Sequence, residues 1–319
     1  MLFRSTGLAS GVAYIDKGTG RENHVRARIV VVAASACESA RLLLNSTSSR
    51  FPRGLANSSG VVGRYLTDTT GTGVGGFIPK MMAGVPHNED DAGGAHLYMP
   101  WWLDNRTLDF PRGYHIEIGG GRHMPSAGIM ANVHRYTGID SAGRSITPAG
   151  YGKALKDDYR RFYGATVHFA GRGEMIPNLQ SYCEIDPEVV DRWGIPVLRF
   201  HFKWTDHELN QVRHMQRTFR ALIEQMGGTP LSPMPDGEAG YGIEPGGRII
   251  HEVGVTRMGH SPSTSVLNAQ CQAHDVKNLF VADGGPFVTN ADKNVTWTIL
   301  ALAMRTSHYI ADQRKAGAI

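Results

Sequence analysis

Hydrophobic and polar residues alternate near the start of the chain and then give way to an unbroken apolar run. Residues 11–16 and 24–28 alternate as two strands joined by a turn would. The continuous apolar run at 29–32 predicts a strand that is buried on both faces, as in a parallel sheet. Small residues at 33–37 and three leucines at 42–44 then predict a tight turn into a short packed helix.

The stretch 70–245 has short alternating segments separated by turns rich in glycine and proline. Residues 115–118 alternate as a half-buried strand does. A long helix is predicted after Thr205, because Thr205 and Glu208 have the spacing of a capping box. Apolar residues follow at three- and four-residue spacing, and the glycine pair at 227–228 predicts the end of this helix. The region therefore predicts a mostly antiparallel sheet with helices.

Near the C-terminus the pattern returns to that of the first segment. Residues 279–282 predict a short buried strand, and a final helix is predicted from Asn294, which is a favoured residue at the N-cap of a helix. The fold class predicted is α/β (α+β). We expect residues 1–69 and 246–319 to form one domain and residues 70–245 to form a second.

The composition is that of an ordinary soluble globular chain, since 41% of the 319 residues are hydrophobic and 19% are charged. The formal net charge of +4 is too small to predict nucleic-acid binding. No apolar run has the length of a transmembrane segment, and the first residues have no signal-peptide core. The three cysteines lie far apart, so they predict neither a disulfide framework nor a zinc or other metal site.

The candidate chemistry lies in short segments near the C-terminus. His251 opens the run His-Glu-Val-Gly-Val-Thr-Arg-Met-Gly, and Asn294 opens the run Asn-Val-Thr-Trp-Thr-Ile. Asp283 and Gly284 follow the predicted strand that lies between them. An unperturbed imidazole titrates near pH ~6.5, so it can accept a proton and return it. The alternative is structural: His251 is one of 14 histidines, and Asn294 caps an ordinary helix.

Together these segments resemble the C-terminal signature of the glucose-methanol-choline (GMC) flavin oxidoreductases. The run at 191–197, Asp-Arg-Trp-Gly-Ile-Pro-Val, resembles the branch of bacterial sugar dehydrogenases. The resemblance implies FAD as cofactor, His251 as the base for a hydroxyl proton, and Asn294 as the residue that holds the substrate oxygen. It also implies that the amides of Val295 and Thr296, at the start of the final helix, face the flavin, where a helix N-terminus stabilises negative charge.

Further FAD contacts are implied elsewhere in the chain. Asp283 and Gly284 stand where the family contacts the ribityl hydroxyls or the diphosphate. Ala34 and Ser35 stand in the segment that borders the adenosine part, and Ser35 replaces a usual glycine there. Residues 62–69 resemble the Gly-Arg-Asn-Leu-x-Asp-His stretch of the family, with tyrosine and threonine as departures in the third and last positions.

An enzyme of this family also needs a GxGxxG fingerprint between a strand and a helix. Residues 71–76 match it formally, but no buried strand precedes them, so we interpret them as a glycine-rich strand or loop. No such unit precedes Val32. We therefore expect the C-terminal portion of a longer enzyme, with 1–69 and 246–319 as the remnant of a Rossmann-like FAD-binding domain and 70–245 as the substrate domain. Such a portion is expected to bind FAD poorly by itself.

The leading hypothesis is a fragment of an FAD-dependent dehydrogenase that oxidises a CH–OH group of a sugar, glycoside or polyol, with an electron-transfer subunit as a candidate partner. Trp101, Trp102 and Trp193 could stack on sugar faces, although strand aromatics more often lie in a core. The alternative is a truncated, non-catalytic homologue that acts as a binding or assembly subunit. A hydrolase is disfavoured because no GxSxG elbow is present. The sequence leaves a cytoplasmic and a periplasmic location equally open.

Overall fold

The computed structural model describes residues 2–3, 7–84, 99–100, 106–120, 138–139, 145–146, 151–154, 156–157 and 164–319. The chain divides into two compact units. Unit 1 consists of Met1–Thr69, Met175–Lys203 and Gly246–Ile319, and unit 2 consists of Thr70–Glu174 and Trp204–Pro245. Over the described ranges, none of the helices has both the length and the apolar character that a bilayer crossing requires.

Unit 1 begins with an antiparallel sheet in the order β1–β2–β3, formed by Leu2–Phe3, Ala9–Ile15 and Glu22–Arg26. The predicted hairpin is the β2–β3 pair and is confirmed. Strand β4 (Val30–Val32) pairs in parallel with β14 (Leu279–Val281), which joins early and late parts of the chain in one sheet. A single side chain, Asn278, ties this sheet to β2, because its amide donates to the carbonyl oxygens of Ala9 and Arg28 and accepts from the Ala9 amide.

One expectation about β4 is wrong. Val30 and Val32 are buried, as predicted, but Val31 is 48% exposed. The side chains of successive strand residues point to opposite faces. Only the face that carries Val30 and Val32 packs on the core of unit 1, so β4 is buried on one face and not on two.

Helix α1 (Ala36–Asn45) follows β4 directly, as the small residues predicted. It packs on the antiparallel pair of β11 (Tyr182–Val190) and β12 (Pro196–His201). Residues 175–203 were expected to belong with 70–245, but their contacts group them with unit 1. The cause is long-range packing: Cys183 enters the core around α1, and Arg41 donates to the Asp191 carboxylate at 2.8 Å.

Unit 2 is built on a sheet of five strands: β5 (Thr70–Phe77), β6 (Met99–Pro100), β7 (Tyr114–Gly120), β10 (Thr166–Gly173) and β13 (Thr229–Pro230). The sheet is antiparallel, and its strands lie in the order β13–β5–β10–β7–β6. A separate short pair joins β8 (Gly138–Ile139) to β9 (Ser145–Ile146), and 3₁₀ turns span Pro79–Ala83 and Gly240–Gly242. The formal GxGxxG match at 71–76 lies inside β5, so its interpretation as a glycine-rich strand is confirmed.

Helix α2 (Asp206–Gln225) packs on one face of this sheet. The predicted capping box is present, since the Thr205 amide donates to the Glu208 carboxylate at 2.7 Å. The buried apolar residues of α2 are Val212, Met215, Phe219 and Ile223. Glycine in the strands lets the helix approach: a Cβ on Gly76 would lie 2.7 Å from Ile223, and one on Gly171 would lie 2.4 Å from the Met215 sulfur.

Candidate active site

Backbone pairing in unit 1 brings Thr69 opposite His251. Thr67 and Val253 exchange two backbone hydrogen bonds, of 3.1 and 2.9 Å, in an antiparallel bridge. Two positions further along this register, Thr69 and His251 face each other, and directly opposed side chains of an antiparallel pair lie on the same face. The hydroxyl oxygen of Thr69 lies 3.1 Å from Nδ1 of His251. The imidazole is therefore held through one ring nitrogen by a residue that is 182 positions away in sequence.

Asn290 and Asp68 make further hydrogen bonds to Thr69 and His251. The side-chain amide of Asn290 donates to the carbonyl oxygen of His251 at 3.1 Å and to the hydroxyl oxygen of Thr69 at 3.2 Å. The carboxylate of Asp68 is fully buried and accepts the backbone N–H groups of Thr69, His251 and Gly247, at 2.7, 3.1 and 2.9 Å. Hydrogen bonds thus hold the backbone of both Thr69 and His251 and also the Thr69 hydroxyl group. They restrict the directions in which the imidazole can point.

Asn294 lies four residues after Asn290, in the segment of unit 1 that leads into the final helix. Helix α3 (Thr296–Lys315) has Val295 at its N-cap, because the carbonyl oxygen of Val295 accepts the first intrahelical bond, from Ile299. The expectation that Asn294 caps this helix is therefore wrong by one residue. Asn294 is exposed, and within the described residues its side chain makes no hydrogen bond to His251. Val295 is partly buried and Thr296 is exposed at the helix start.

Asp283 links the Asp-Gly-Gly turn to the start of α1. One carboxylate oxygen accepts the Ser39 hydroxyl at 2.5 Å, and the other accepts the Gly285 amide at 2.7 Å. The Ser39 oxygen in turn accepts the backbone amide of Ala34 at 3.1 Å. Burial raises the pKa of Asp283, although these hydrogen bonds oppose the shift. Asp283 therefore orients the backbone of Ala34 and of the glycine turn through contacts inside the protein.

The two glycines after Asp283 run beside the His251 segment. The Gly254 amide donates to the Gly284 carbonyl oxygen at 3.2 Å. A Cβ on Gly285 would lie 2.2 Å from the hydroxyl oxygen of Thr256, so only glycine allows this approach. The Asp-Gly-Gly turn and the segment that begins at His251 are therefore in direct backbone contact, although they lie apart in sequence.

A pocket of about 480 Å³ in unit 1 is lined by the start of α1 and by the His251 segment. Its lining residues are Ser35, Ala36, Cys37, Leu66, Phe200, Phe202, Gly246, Gly247 and Glu252. Ser35 has φ 77° and ψ 158°, a conformation that favours glycine, which accounts for the glycine usual at this position. Burial, with a smaller contribution from the Asp68 carboxylate, raises the pKa of Glu252.

These residues fit a part of FAD. The volume lies within the range of cofactor pockets. The first-turn amides of α1 border the pocket and suit an anionic or hydroxyl-rich group. Outside the residues that line this pocket, the hydroxyl oxygens of Thr256 and Thr289 are buried and, within the described part of the chain, have no hydrogen-bond partner.

Sequence reasoning missed Thr69, Asn290 and Glu252 as members of this site. Thr69 is a departure from the family stretch that residues 62–69 resemble, and nothing in its spacing links it to His251. Of the three tryptophans considered for sugar stacking, Trp193 carries the Arg192 guanidinium 3.9 Å from its ring centre, so one of its faces is occupied. Trp101 and Trp102 lie outside the described residues.

Comparison with known proteins gives consistent matches. A family model described as GMC oxidoreductase matches residues 177–303. The chain is 31% identical over 311 residues to 2-methyl-1,2-propanediol dehydrogenase of Mycolicibacterium austroafricanum, which covers 96% of the chain and 51% of the relative. It is 26% identical to the fructose dehydrogenase large subunit of Gluconobacter japonicus, over 93% of the chain and 49% of the relative. The chain thus spans about half the length of the curated relatives it matches.

A solved structure, pyridoxine 4-oxidase from Mesorbium loti, superposes with a TM-score of 0.60 at 16% identity. The superposition covers 95% of the chain and 55% of that structure. At this level of identity the likeness establishes the fold alone. It confirms the predicted fold class, in which an α/β part accompanies a mostly antiparallel sheet with helices.

Proposed function

Because this chain belongs to the GMC oxidoreductase family, we propose that it supplies the catalytic base for FAD-dependent oxidation of a CH–OH group in a sugar, glycoside or polyol. Two relatives are named as dehydrogenases of a small diol and of fructose, and both of these compounds carry more than one hydroxyl group. The observation that carries the proposal is the frame around His251, in which Thr69 contacts Nδ1 and Asn290 and Asp68 fix the backbone.

His251 removes the hydroxyl proton of the substrate. With Nδ1 engaged by Thr69, Nε2 is the nitrogen that meets the substrate oxygen. A neutral imidazole can take this proton and release it again near neutral pH. FAD, when bound, would supply the acceptor for the hydride of the carbon atom that bears this hydroxyl group. The frame around the imidazole limits its motion, and a fixed base loses less entropy as the substrate proton moves.

Asn294 is proposed to hold the substrate oxygen. A carboxamide donates a hydrogen bond to that oxygen without competing for the proton. The exposure of Asn294 leaves its side chain accessible to a bound molecule. Asn290 is the other carboxamide nearby in sequence, but its amide group already donates to the His251 carbonyl oxygen and to Thr69. Asn290 is therefore a positioning residue.

Six residues are proposed to contact FAD. Ser35 lines the pocket at the start of α1, where the first amides of the helix have no intrahelical partner, and Ala34 immediately precedes it. Asp283 and Gly284 shape the turn beside it, and the amides of Val295 and Thr296 open α3. Residues 1–69 and 246–319 are accordingly proposed to contribute to the FAD-binding domain, and much of 70–245 to the substrate domain. The name of the fructose dehydrogenase large subunit supports an electron-transfer subunit as partner.

The test uses the full chain, alone and mixed with a separately produced N-terminal half of the 2-methyl-1,2-propanediol dehydrogenase relative. Flavin binding is followed by absorbance, and oxidation of diols and sugars is followed with an electron-accepting dye. His251→Ala is compared with His260→Ala, which removes an exposed imidazole from the same segment. We expect His251→Ala to lower kcat by about 10²–10⁴-fold, the usual contribution of a general base, and His260→Ala to retain the wild-type rate.

Two results would count against this function. Wild-type activity in His251→Ala would show that His251 is not the catalytic base. Tight assembly with the N-terminal half, without turnover of any alcohol, would favour the non-catalytic binding or assembly subunit.

A further inference from the structure

Two of the three cysteines are distant in sequence but meet in the core of unit 1. Cys37 is the second residue of α1, and Cys183 is the second residue of β11. Cys183 is 1% exposed and belongs to the core on which Cys37 packs. The two are free thiols in hydrogen-bond contact with each other. The spacing of the cysteines in sequence gives no sign of this pair, because the pair depends on the packing of α1 against β11.

Contacts that do not involve sulfur fix α1 and β11 in this arrangement. Arg41 of α1 donates to the Asp191 carboxylate and to the Pro196 carbonyl oxygen, both at 2.8 Å. The Cys183 amide donates to the carbonyl oxygen of Gly63 at 2.8 Å. A Cβ on Gly63 would lie 2.2 Å from the Cys183 carbonyl oxygen, so the backbone there is closely packed. The fold therefore brings the two thiols together, and rotation of the side chains is enough to reach the sulfur separation of about 2.0 Å in a disulfide bond.

The two thiols differ in their access to solvent. Cys37 is partly exposed and lines the pocket of about 480 Å³, whereas Cys183 is buried and is not among the lining residues. A reagent in the pocket therefore reaches Cys37 first. Cys183 can then reach the Cys37 sulfur from inside the core. This arrangement suits an attacking thiol followed by a resolving thiol, and a cysteine that only fills a core needs no such access.

We propose that Cys37 and Cys183 form a site of reversible oxidation by small-molecule disulfides that enter the pocket of unit 1. The Cys37 thiol gives up its proton, and its sulfur attacks one sulfur of the entering disulfide, whose S–S bond breaks. The leaving sulfur takes up a proton and departs as a thiol, and a mixed disulfide remains on Cys37. Cys183 then gives up its proton, and its sulfur displaces the second half of the reagent, which also departs as a thiol. Two protein thiols are thereby oxidised to one disulfide bond, and the small disulfide is reduced to two thiols.

The surroundings of Cys37 determine the rate of the first step. The hydrogen bond to Cys183, followed by burial and by the carboxylates of Glu252 and Glu38, raises the pKa of Cys37. Because only the thiolate attacks, oxidation is slow near neutral pH and becomes about tenfold faster with each unit of rising pH. Oxidation ties the first turn of α1 to β11 and draws the Cys37 sulfur away from the pocket. His251 takes no part in this chemistry, so the site goes beyond the proposed function.

The test equilibrates the full chain, without flavin, with 2-hydroxyethyl disulfide and 2-mercaptoethanol over a range of ratios. Acid stops the exchange, the remaining thiols are blocked, and peptide mass mapping identifies each bond. Cys271→Ala is the matched control, because it removes another buried cysteine of the same core. We expect the wild type and Cys271→Ala to form the bond between Cys37 and Cys183 at the same ratios. We expect Cys183→Ala to stop at the mixed disulfide on Cys37, and Cys37→Ser to remain unmodified.

A second measurement uses only the wild-type chain and so does not depend on whether a variant folds. An unfolded chain brings distant residues together rarely, whereas the fold holds these two thiols in contact. We therefore expect the folded chain to be half oxidised at a ratio of disulfide to squared thiol concentration that is at least about tenfold lower than for the chain unfolded in urea. Circular dichroism melts check that the three variants fold.

Three results would overturn the inference: a mixed disulfide that persists on Cys37 in the folded wild type, a bond that includes Cys271, or equal oxidation of the folded and unfolded chains. Absence of any reaction up to pH 9 would do the same. None of these results bears on the proposed function, which is decided by the effect of His251→Ala on turnover.

Discussion

Replacing Asp68 with asparagine tests how the candidate site is held together. The Asp68 carboxylate is fully buried and accepts three backbone N–H groups. One oxygen serves Thr69 and His251, and the other serves Gly247. In Asp68→Asn one of these oxygens becomes an NH₂ group, which cannot accept. In the less costly orientation the remaining oxygen keeps Thr69 and His251, and the Gly247 amide then faces another donor.

The expected loss can be worked from these contacts. A hydrogen bond to a charged group contributes about 1.5–3 kcal/mol. Asp68→Asn loses one such bond, and the two that remain no longer involve a charge. We therefore expect the free energy of unfolding to fall by about 2–3 kcal/mol. With a urea m-value of about 2 kcal/mol/M, the midpoint of unfolding moves down by about 1 M or slightly more.

Asp16 provides the matched control. Its carboxylate also accepts three hydrogen bonds, from Gly18 and from the amide and hydroxyl of Thr19, but all three reach the same oxygen. Asp16→Asn can keep every one of them, so we expect a change within about 0.5 kcal/mol. Urea unfolding is followed by tryptophan fluorescence and far-UV circular dichroism together. Equal midpoints for the two variants would refute the view that Asp68 anchors the backbone at His251.

Three further predictions concern the pocket in unit 1. Ser35→Gly relieves a backbone conformation that favours glycine, so we expect thermal melts to show a gain of about 1 kcal/mol; a loss would contradict the strain. Burial raises the pKa of Glu252, so the folded chain binds this proton more tightly than the unfolded chain and stability falls as pH rises past the ordinary carboxyl range. Melts should therefore show Glu252→Gln gaining stability over the wild type as the pH rises above about 4, and a difference that stays constant with pH would argue against the raised pKa. The thiol contact with Cys183, together with burial, raises the pKa of Cys37. Mass spectrometry should show slow alkylation of Cys37 near neutral pH and faster alkylation in Cys183→Ala, and equal rates would sink this explanation.

Local pattern was sufficient for elements whose signals lie within a few residues of one another. The capping box at Thr205 and Glu208 places the start of α2, because both partners belong to the same turn. The alternation in residues 115–118 lies within β7, so the strand was predictable, although His115 and Ile116 are both buried and the strand is not half-buried there. The start of α3 was predicted one residue too early, because the first intrahelical bond is made to the carbonyl oxygen of Val295 and not to that of Asn294.

The candidate site was only partly predictable for a different reason. His251 was recognisable from its motif, but its partners Thr69 and Asn290 come from distant segments. Their roles depend on the register of the bridge between Thr67 and Val253, which no local pattern encodes. The same holds for residues 175–203, whose membership in unit 1 depends on contacts with α1.

The most direct test of the proposed base is a crystal structure of the FAD-loaded assembly with an alcohol substrate analogue. It measures the distance from Nε2 of His251 to the oxygen of the reacting carbinol. We predict about 2.6–3.2 Å, with Thr69 still in contact with Nδ1. An imidazole turned away from that oxygen, with a different proton acceptor within hydrogen-bond reach of it, would contradict the account.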